Sequence, residues 1–199
     1  MSDSTDSEPA ELPPRSHWKR IRLVGKWLFL VWGGFSLVCA IGLGGFLAYQ
    51  VTYGNRDKID TATNHDIRFV LNLCELGEKR IVKVVHSYIS SRSLTGDHLD
   101  AYAIQISHVE LAELTQVKPV FNSGWYRGDQ LPEMVKGSVD FVGGWLHEIP
   151  WFPTQSELGS SEIYVYHLSA YFRGSRPTAV ELIFVRPRDR MVFYFGGKS

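Results

Sequence analysis

Histidine and carboxylate positions are where this chain could do chemistry. Six histidines follow a long apolar run: His65, His86, His98, His108, His147 and His167. Asp97 and Asp100 bracket His98, which gives that loop the donors and acceptors for a metal ion or a general base. Either use needs a second histidine or carboxylate converging on the first. His108 ends the strand that this loop begins, and eight strand residues hold the two histidines about 25 Å apart. His108-Val-Glu110 and His147-Glu148 echo fragments of metal and deaminase motifs without the thiolates a deaminase needs. There is no Gly-x-Ser-x-Gly elbow, no phosphate loop, no His-Glu-x-x-His and no Cys-x-x-Cys. The sequence therefore assigns no catalytic residue, no metal and no cofactor.

Aromatic residues offer the better candidates. Trp125 and Tyr126 lie in one loop, and Trp151 and Phe152 lie in another, between Pro150 and Pro153. Both loops flank one expected helix, with Trp145 at its end. Rings on loops bring large contact area at small entropy cost, so these five are the expected binding residues; the alternative is that they fold inward and complete the core. Arg173 and Arg176 fall in one hairpin turn, and Arg186, Arg188 and Arg190 in the next. Successive turns of a meander lie at opposite ends of a sheet, so the five arginines do not form one patch. Cys74 stands alone outside the apolar run and reads as a small buried residue.

The elements that must position these residues begin with the apolar run itself. No charged residue falls between Lys26 and Arg56, and Trp27 to Tyr53 is long enough to cross a bilayer with some tilt. Arg15, Lys19, Arg20, Arg22 and Lys26 precede it, so the N-terminus is expected to stay cytoplasmic and the remainder to be exported. The run is too long for a cleaved signal peptide and ends without a small-x-small site. Ser36, Ala40, Gly44 and Ala48 recur at every fourth residue, the pattern that lets membrane helices pack closely or dimerise. Residues 1–26 then form a disordered acidic, then basic, cytoplasmic tail; 27–53 the signal anchor; 54–63 a linker; and 64–199 an exported domain. The formal net charge of +0 gives no basic stripe for nucleic acid, and the absence of any Asn-x-Ser/Thr favours a bacterial envelope.

Within the domain, Ile67, Val70, Leu71 and Cys74 share one helical face, with Gly77 expected as the closing C′ residue. Arg80–Ile89 and Asp100–Ser107 read as strands, Val109–Val117 as a short helix, and Gln130–Leu146 as a helix with Leu131, Val135, Val139 and Val142 on one stripe. Glu162–Phe172, Thr178–Val185 and Met191–Phe195 alternate and are joined by short turns, an antiparallel three-strand meander. The expected fold is α+β: one transmembrane helix, then a mostly antiparallel sheet of about five strands with helices packed on one face. The expected function is that of a single-pass protein of the bacterial inner membrane whose periplasmic domain binds a protein partner, as an accessory subunit or an inhibitor of immunity type. A membrane-tethered hydrolase or metal-dependent enzyme using Asp97, His98 and Asp100, and a small-ligand sensor, are the alternatives.

Overall fold

The computed structural model describes residues 16–49, 55–93, 95–115 and 124–199, with side chains from residue 21 onward. The chain divides into two units, Met1–Gly54 and Asn55–Ser199. The first contains helix α1, Ser16–Tyr49, which starts ahead of the apolar run, within its basic flank. Its segment Ile21–Tyr49 is the one helix among the described residues long and apolar enough to cross a membrane. At 1.5 Å per residue those 29 residues extend about 43 Å. None of its side chains is buried.

The second unit is built on alternation. Strands β1 (Lys58–Ile59), β2 (Ile81–Ile89), β3 (His98–Ile106), β4 (Trp125–Arg127), β5 (Tyr164–Arg173), β6 (Arg176–Arg186) and β7 (Met191–Lys198) form one seven-stranded antiparallel sheet. Their order is β1-β2-β3-β7-β6-β5-β4. The sheet has seven strands rather than about five because two short edge strands carry too few residues to show alternation. One is β1, inside the expected linker, and the other is β4, inside the expected loop at Trp125 and Tyr126. The meander β5-β6-β7 is present as read.

Helices cover both faces, not one. Tyr102, Ile104 and Ile106 of β3 pack with Ile67, Val70 and Leu71, bringing α2 (Arg68–Leu73) onto one face. Leu99, Ala101 and Ala103 point the other way, to Val135, Val139 and Val142 of α3 (Glu133–Gly143). A short helix α4 (Gln155–Leu158), opened by a capping box between Thr154 and Glu157, adds Leu158 to that second core. The expectation of one covered face fails at the central strand, which is interior on both sides. In β7 both sets are apolar and both are buried: Val192 and Tyr194 on the α2 side, Phe193 and Phe195 on the α3 side.

Two local details differ from the sequence reading. Helix α2 is closed by a Schellman turn whose left-handed residue is Glu75 (φ 62°), not Gly77, with Leu76 N–H donating to Leu71 O and Glu75 N–H to Asn72 O. In β5 a bulge between His167 and Ser169 reverses the faces: Tyr164, Tyr166 and Leu168 pack on the α2 side, but Ala170 packs on the α3 side. The expected helix at 109–117 is a 3-10 turn over Glu113–Thr115, and residues 116 and 117 lie outside the described residues.

That turn is fastened to the start of β2 by a bidentate ion pair. Arg80 Nη1 and Nη2 donate to Glu113 Oε2 and Oε1 at 2.7 and 2.6 Å. The guanidinium hydrogen bonds hold the Glu113 carboxyl down to about 2, against 4.5 ordinarily. A folded-state value below the unfolded one means the pair stabilises fully above pH 4.5 and loses its effect as pH falls toward about 2. Glu113→Gln should therefore cost about 1 kcal/mol or less at pH 7, the range for a partly exposed pair. Thermal unfolding curves of the two proteins should converge near pH 2; a gap that stays constant from pH 7 to pH 2 would contradict this account.

Candidate functional site

Residues directly opposite one another in neighbouring strands form rows across a sheet face, and three rows on the α2 side define the site. The first is Tyr102, Tyr194, Ile183 and Tyr166, on β3, β7, β6 and β5. Phe69 of α2 meets this row edge-on, 6.2 Å from the Tyr102 ring and 5.3 Å from Tyr194. The next row is Asp100, Gly196, Glu181 and Ser169, and the third is His98, Lys198, Ala179 and Tyr171. No ring or aliphatic side chain of α2 reaches these two rows among the described residues. They line an open recess of about 220 Å³, walled by Tyr194, Tyr171 and the two carboxylates.

Gly196 makes the recess. It pairs with Asp100 on one side and Glu181 on the other, so the acids face each other across a position with no side chain. Their Cα atoms stand two strand spacings apart, about 10 Å. The Tyr194 ring lies over the glycine: a Cβ there would sit 2.7 Å from Tyr194 Oη. Glycine inside a strand commonly marks such a close approach.

The polar groups are only partly satisfied. Asp100 Oδ2 accepts from Arg92 Nη2 at 2.8 Å, while its buried Oδ1 has no hydrogen-bond partner. Glu181 Oε2 accepts from Ser169 Oγ at 3.2 Å. Lys198 Nζ is held at the rim by Thr95 O at 3.3 Å, and His98 Nδ1 lies 2.8 Å from Gly96 O. Burial pushes the Tyr194 phenol well above its ordinary pKa, and the charges of Glu181 and Asp100 push it further. Tyr102 is raised to about 12, by burial first and then by Asp100.

The residues expected from sequence are dispersed. Trp125 is buried on the α2 side, edge-on to Tyr166, and Phe152 is buried on the α3 side against Phe184, Phe193 and Phe195. Tyr126, Trp145 and Trp151 are half-buried over the α3-side core. Trp151 stacks on His86 (5.4 Å between centroids), and nearby Glu148 Oε2 accepts from the Tyr88 hydroxyl at 2.9 Å. Four of the five rings therefore share one side; Phe152 among them, and Trp125 on the other side, are part of the sheet's packing rather than its surface. Ser36, Ala40, Gly44 and Ala48 are exposed along α1.

Of the Asp97–Asp100 loop, His98 and Asp100 reach the recess. Asp97 instead closes its own turn, accepting from Thr95 Oγ1 at 2.6 Å and donating its N–H to Ser93 Oγ at 2.8 Å. His108 lies beyond the far end of β3. His167 is half-buried 3.5 Å from Ser138 Oγ, and burial lowers its basicity. Among the described residues no three His, Cys, Asp or Glu converge to hold a metal ion. Arg186 and Arg188 are paired with Glu157, Asp189 and Glu162, and Arg190 donates to Ser107 O. Cys74 is buried, and its thiol is pushed up to about 12.

The sequence reading missed Glu181, Tyr194 and Gly196 as site residues. The available signal was Gly196-Gly197 directly after an alternating strand; β7 was read as ending at Phe195, whereas it runs on through both glycines to Lys198. Comparison with protein-family models, curated proteins and solved structures finds no match for this chain.

The two glycines should respond differently to a methyl group. At Gly196 the added carbon meets the end of a ring that borders open space. At Gly197 it meets the Phe195 ring at 2.7 Å inside the core. Gly196→Ala should cost about 1 kcal/mol and Gly197→Ala up to about 3 kcal/mol in urea unfolding. Equal losses would show that Tyr194 is as confined as Phe195.

Proposed function

We propose that this is a single-pass protein of the bacterial inner membrane, N-terminus in the cytoplasm. Its periplasmic α+β domain binds a protein partner at the open end of the sheet. The apolar surface of Ile21–Tyr49, with no side chain buried, supports the anchor. The lysine and arginine excess ahead of it supports the orientation. Ser36, Ala40, Gly44 and Ala48 offer a second contact, to another copy or a partner's helix.

One observation carries the binding reading. The Asp100–Gly196–Glu181 row crosses the three central strands and borders an open recess, although the adjoining row is packed against α2. A rigid platform with converging, incompletely satisfied polar groups is the usual form of a recognition site. The half-buried rings of Trp145 and Trp151, on the other side, are the alternative contact.

Orientation is tested by labelling intact spheroplasts with a membrane-impermeant maleimide, in a protein with Cys39 and Cys74 changed to serine. Ser199→Cys should label directly and Ser4→Cys only after lysis; the reverse pattern would overturn the topology. Binding is tested by affinity capture from native membranes in mild detergent. A stoichiometric partner should be retained by the wild type and by Trp145→Ala/Trp151→Ala, and lost from Asp100→Asn/Glu181→Gln at equal abundance. Loss from the tryptophan pair alone would move the contact to the 145–152 segment, and capture of no partner would end the reading.

A further inference from the structure

We infer that β5 pairs edge to edge with β5 of a second copy of this chain, antiparallel and centred on Tyr171. A sheet edge exposes a row of main-chain donors and acceptors, and folded proteins blunt such rows. One edge of this sheet is blunted. Along β2, Asn64 Oδ1 accepts from Val84 N–H at 3.2 Å and Asn64 Nδ2 donates to Val82 O at 3.3 Å, while Asp60 bonds both main-chain groups of Ser87. The other edge is covered only at Tyr164–Tyr166, by β4. Beyond the extra residue Leu168, β5 runs regularly from Ser169 to Arg173. There Tyr171 O is turned inward to Thr178 Oγ1 at 3.2 Å, so by alternation the N–H and C=O of Ala170 and Phe172 point outward. Neither has a main-chain partner on that side among the described residues. No Lys, Pro or acidic residue interrupts His167–Phe172.

The segment is its own complement. About a two-fold axis at Tyr171, Ala170 of one copy exchanges both main-chain hydrogen bonds with Phe172 of the other, and the reciprocal pair does the same. The faces agree as well. Tyr171, at 69% the most exposed ring among the described residues of this unit, meets its counterpart on the α2 side. Phe172 meets Ala170 on the α3 side, large against small. An open groove of about 870 Å³, shared with Met134 and Gly137, keeps α3 from closing off that flank. Arg173 comes opposite Ser169, whose hydroxyl donates to Glu181. Arg173 and Glu181 each lack an ion-pair partner among the described residues, and across this seam their charges complement one another in both directions. The Leu168 bulge at one end and the Gly174 turn at the other fix the register and stop the pairing from propagating. A seam of this length buries less than a stable soluble dimer needs, so its strength rests on two copies sharing a membrane through the anchor proposed above.

The test uses the full-length protein with Cys39→Ser, reconstituted in phosphatidylcholine vesicles whose flotation reports the anchor independently; Cys74, which is buried, is kept. Tyr171→Cys should give a disulfide dimer on oxidation, because non-hydrogen-bonded partners in an antiparallel pair lie about 4.5 Å apart at Cα. Ser169→Cys and Arg173→Cys should crosslink poorly alone and well when mixed in one vesicle. Val82→Cys, on the blunted edge, should crosslink roughly tenfold less than Tyr171→Cys. Ala170→Pro removes an outward N–H without touching the β6 ladder. It should lower Tyr171→Cys crosslinking roughly tenfold, with the unfolding midpoint close to wild type. Hydrogen–deuterium exchange of the unsubstituted protein covers a proline variant that misfolds: the Ala170 and Phe172 amides should slow as the protein-to-lipid ratio rises. Equal crosslinking at Val82→Cys and Tyr171→Cys, full crosslinking in a folded Ala170→Pro, or exchange that ignores the ratio would each overturn the inference. Amides slow at every ratio would place another stretch of the same chain on the edge, and amides fast at every ratio would leave it without a strand. Crosslinking at Tyr171→Cys without flotation would count against the anchor and still support the seam.

Discussion

Everything in the second unit follows from the need to bury β7 on both sides. It lies between β3 and β6 at the middle of the sheet, and its successive residues Val192, Phe193, Tyr194 and Phe195 are all apolar and nearly inaccessible. A central strand of that composition cannot face water on either side, so the fold needs two covers and has them. The covers are unequal. On one face α3 combines with the 145–158 segment, and Ile149, Phe152 and Leu158 extend the packing along the strands. On the other face α2 is six residues long, about 9 Å of helix, set against eight residues of β7 that run about 26 Å. It cannot span that length, and its reach ends at the Tyr102–Tyr194 row.

The polar rows are a consequence of that mismatch. Beyond the reach of α2, apolar residues on the three central strands would leave an exposed greasy surface, and the chain places Asp100, Gly196 and Glu181 there instead. The same residues in the first row would carry a desolvation cost without compensation. Because these strands are hydrogen-bonded on both sides and packed beneath, the recess is held by the stiffest part of the domain. Its two acids are positioned by strand register rather than by a loop. Tyr194 links the tiers: its ring stacks with Tyr102 at 5.7 Å in the core while its hydroxyl lies over Gly196.

Much of this architecture was legible from periodicity. The alternations at Tyr102, Ile104 and Ile106 and at Val180, Leu182 and Phe184 each fall in one core as read, and so do the helical stripes Ile67–Cys74 and Leu131–Val142. The hidden features were of three physical kinds. The edge strands β1 and β4 were too short for a period. The β5 bulge at Leu168 breaks the parity on which face assignment depends. Two covered faces cannot be told from one when each strand is read alone, since only the pairing of β7 between β3 and β6 shows that both its residue sets are interior. The site was hidden for the same reason. Asp100 lies in a loop-and-strand stretch that drew attention, but Glu181 is 81 residues away in sequence (181 − 100), and only register through Gly196 brings the two together. The aromatic pattern misled in part because a Pro-flanked Trp-Phe reads equally well as a surface loop or as a plug, and Phe152 is a plug.

A recess this small asks how binding could be strong enough to matter, and the proposed anchor supplies the answer. From Tyr49 to the first sheet residue, Lys58, the chain can reach at most roughly 30 Å even when fully extended. Under the anchoring proposed above, the domain is tethered to a membrane. If its partner occupies the same membrane, the encounter is confined to two dimensions and the effective concentration rises to the level at which a single charged contact, assisted by rim contacts, is sufficient. A soluble protein with the same recess would need a larger apolar interface around it. On the proposed function, membrane confinement and a compact polar site on the sheet are complementary solutions to one affinity requirement. That proposal gives the long exposed helix and the open recess a common physical rationale.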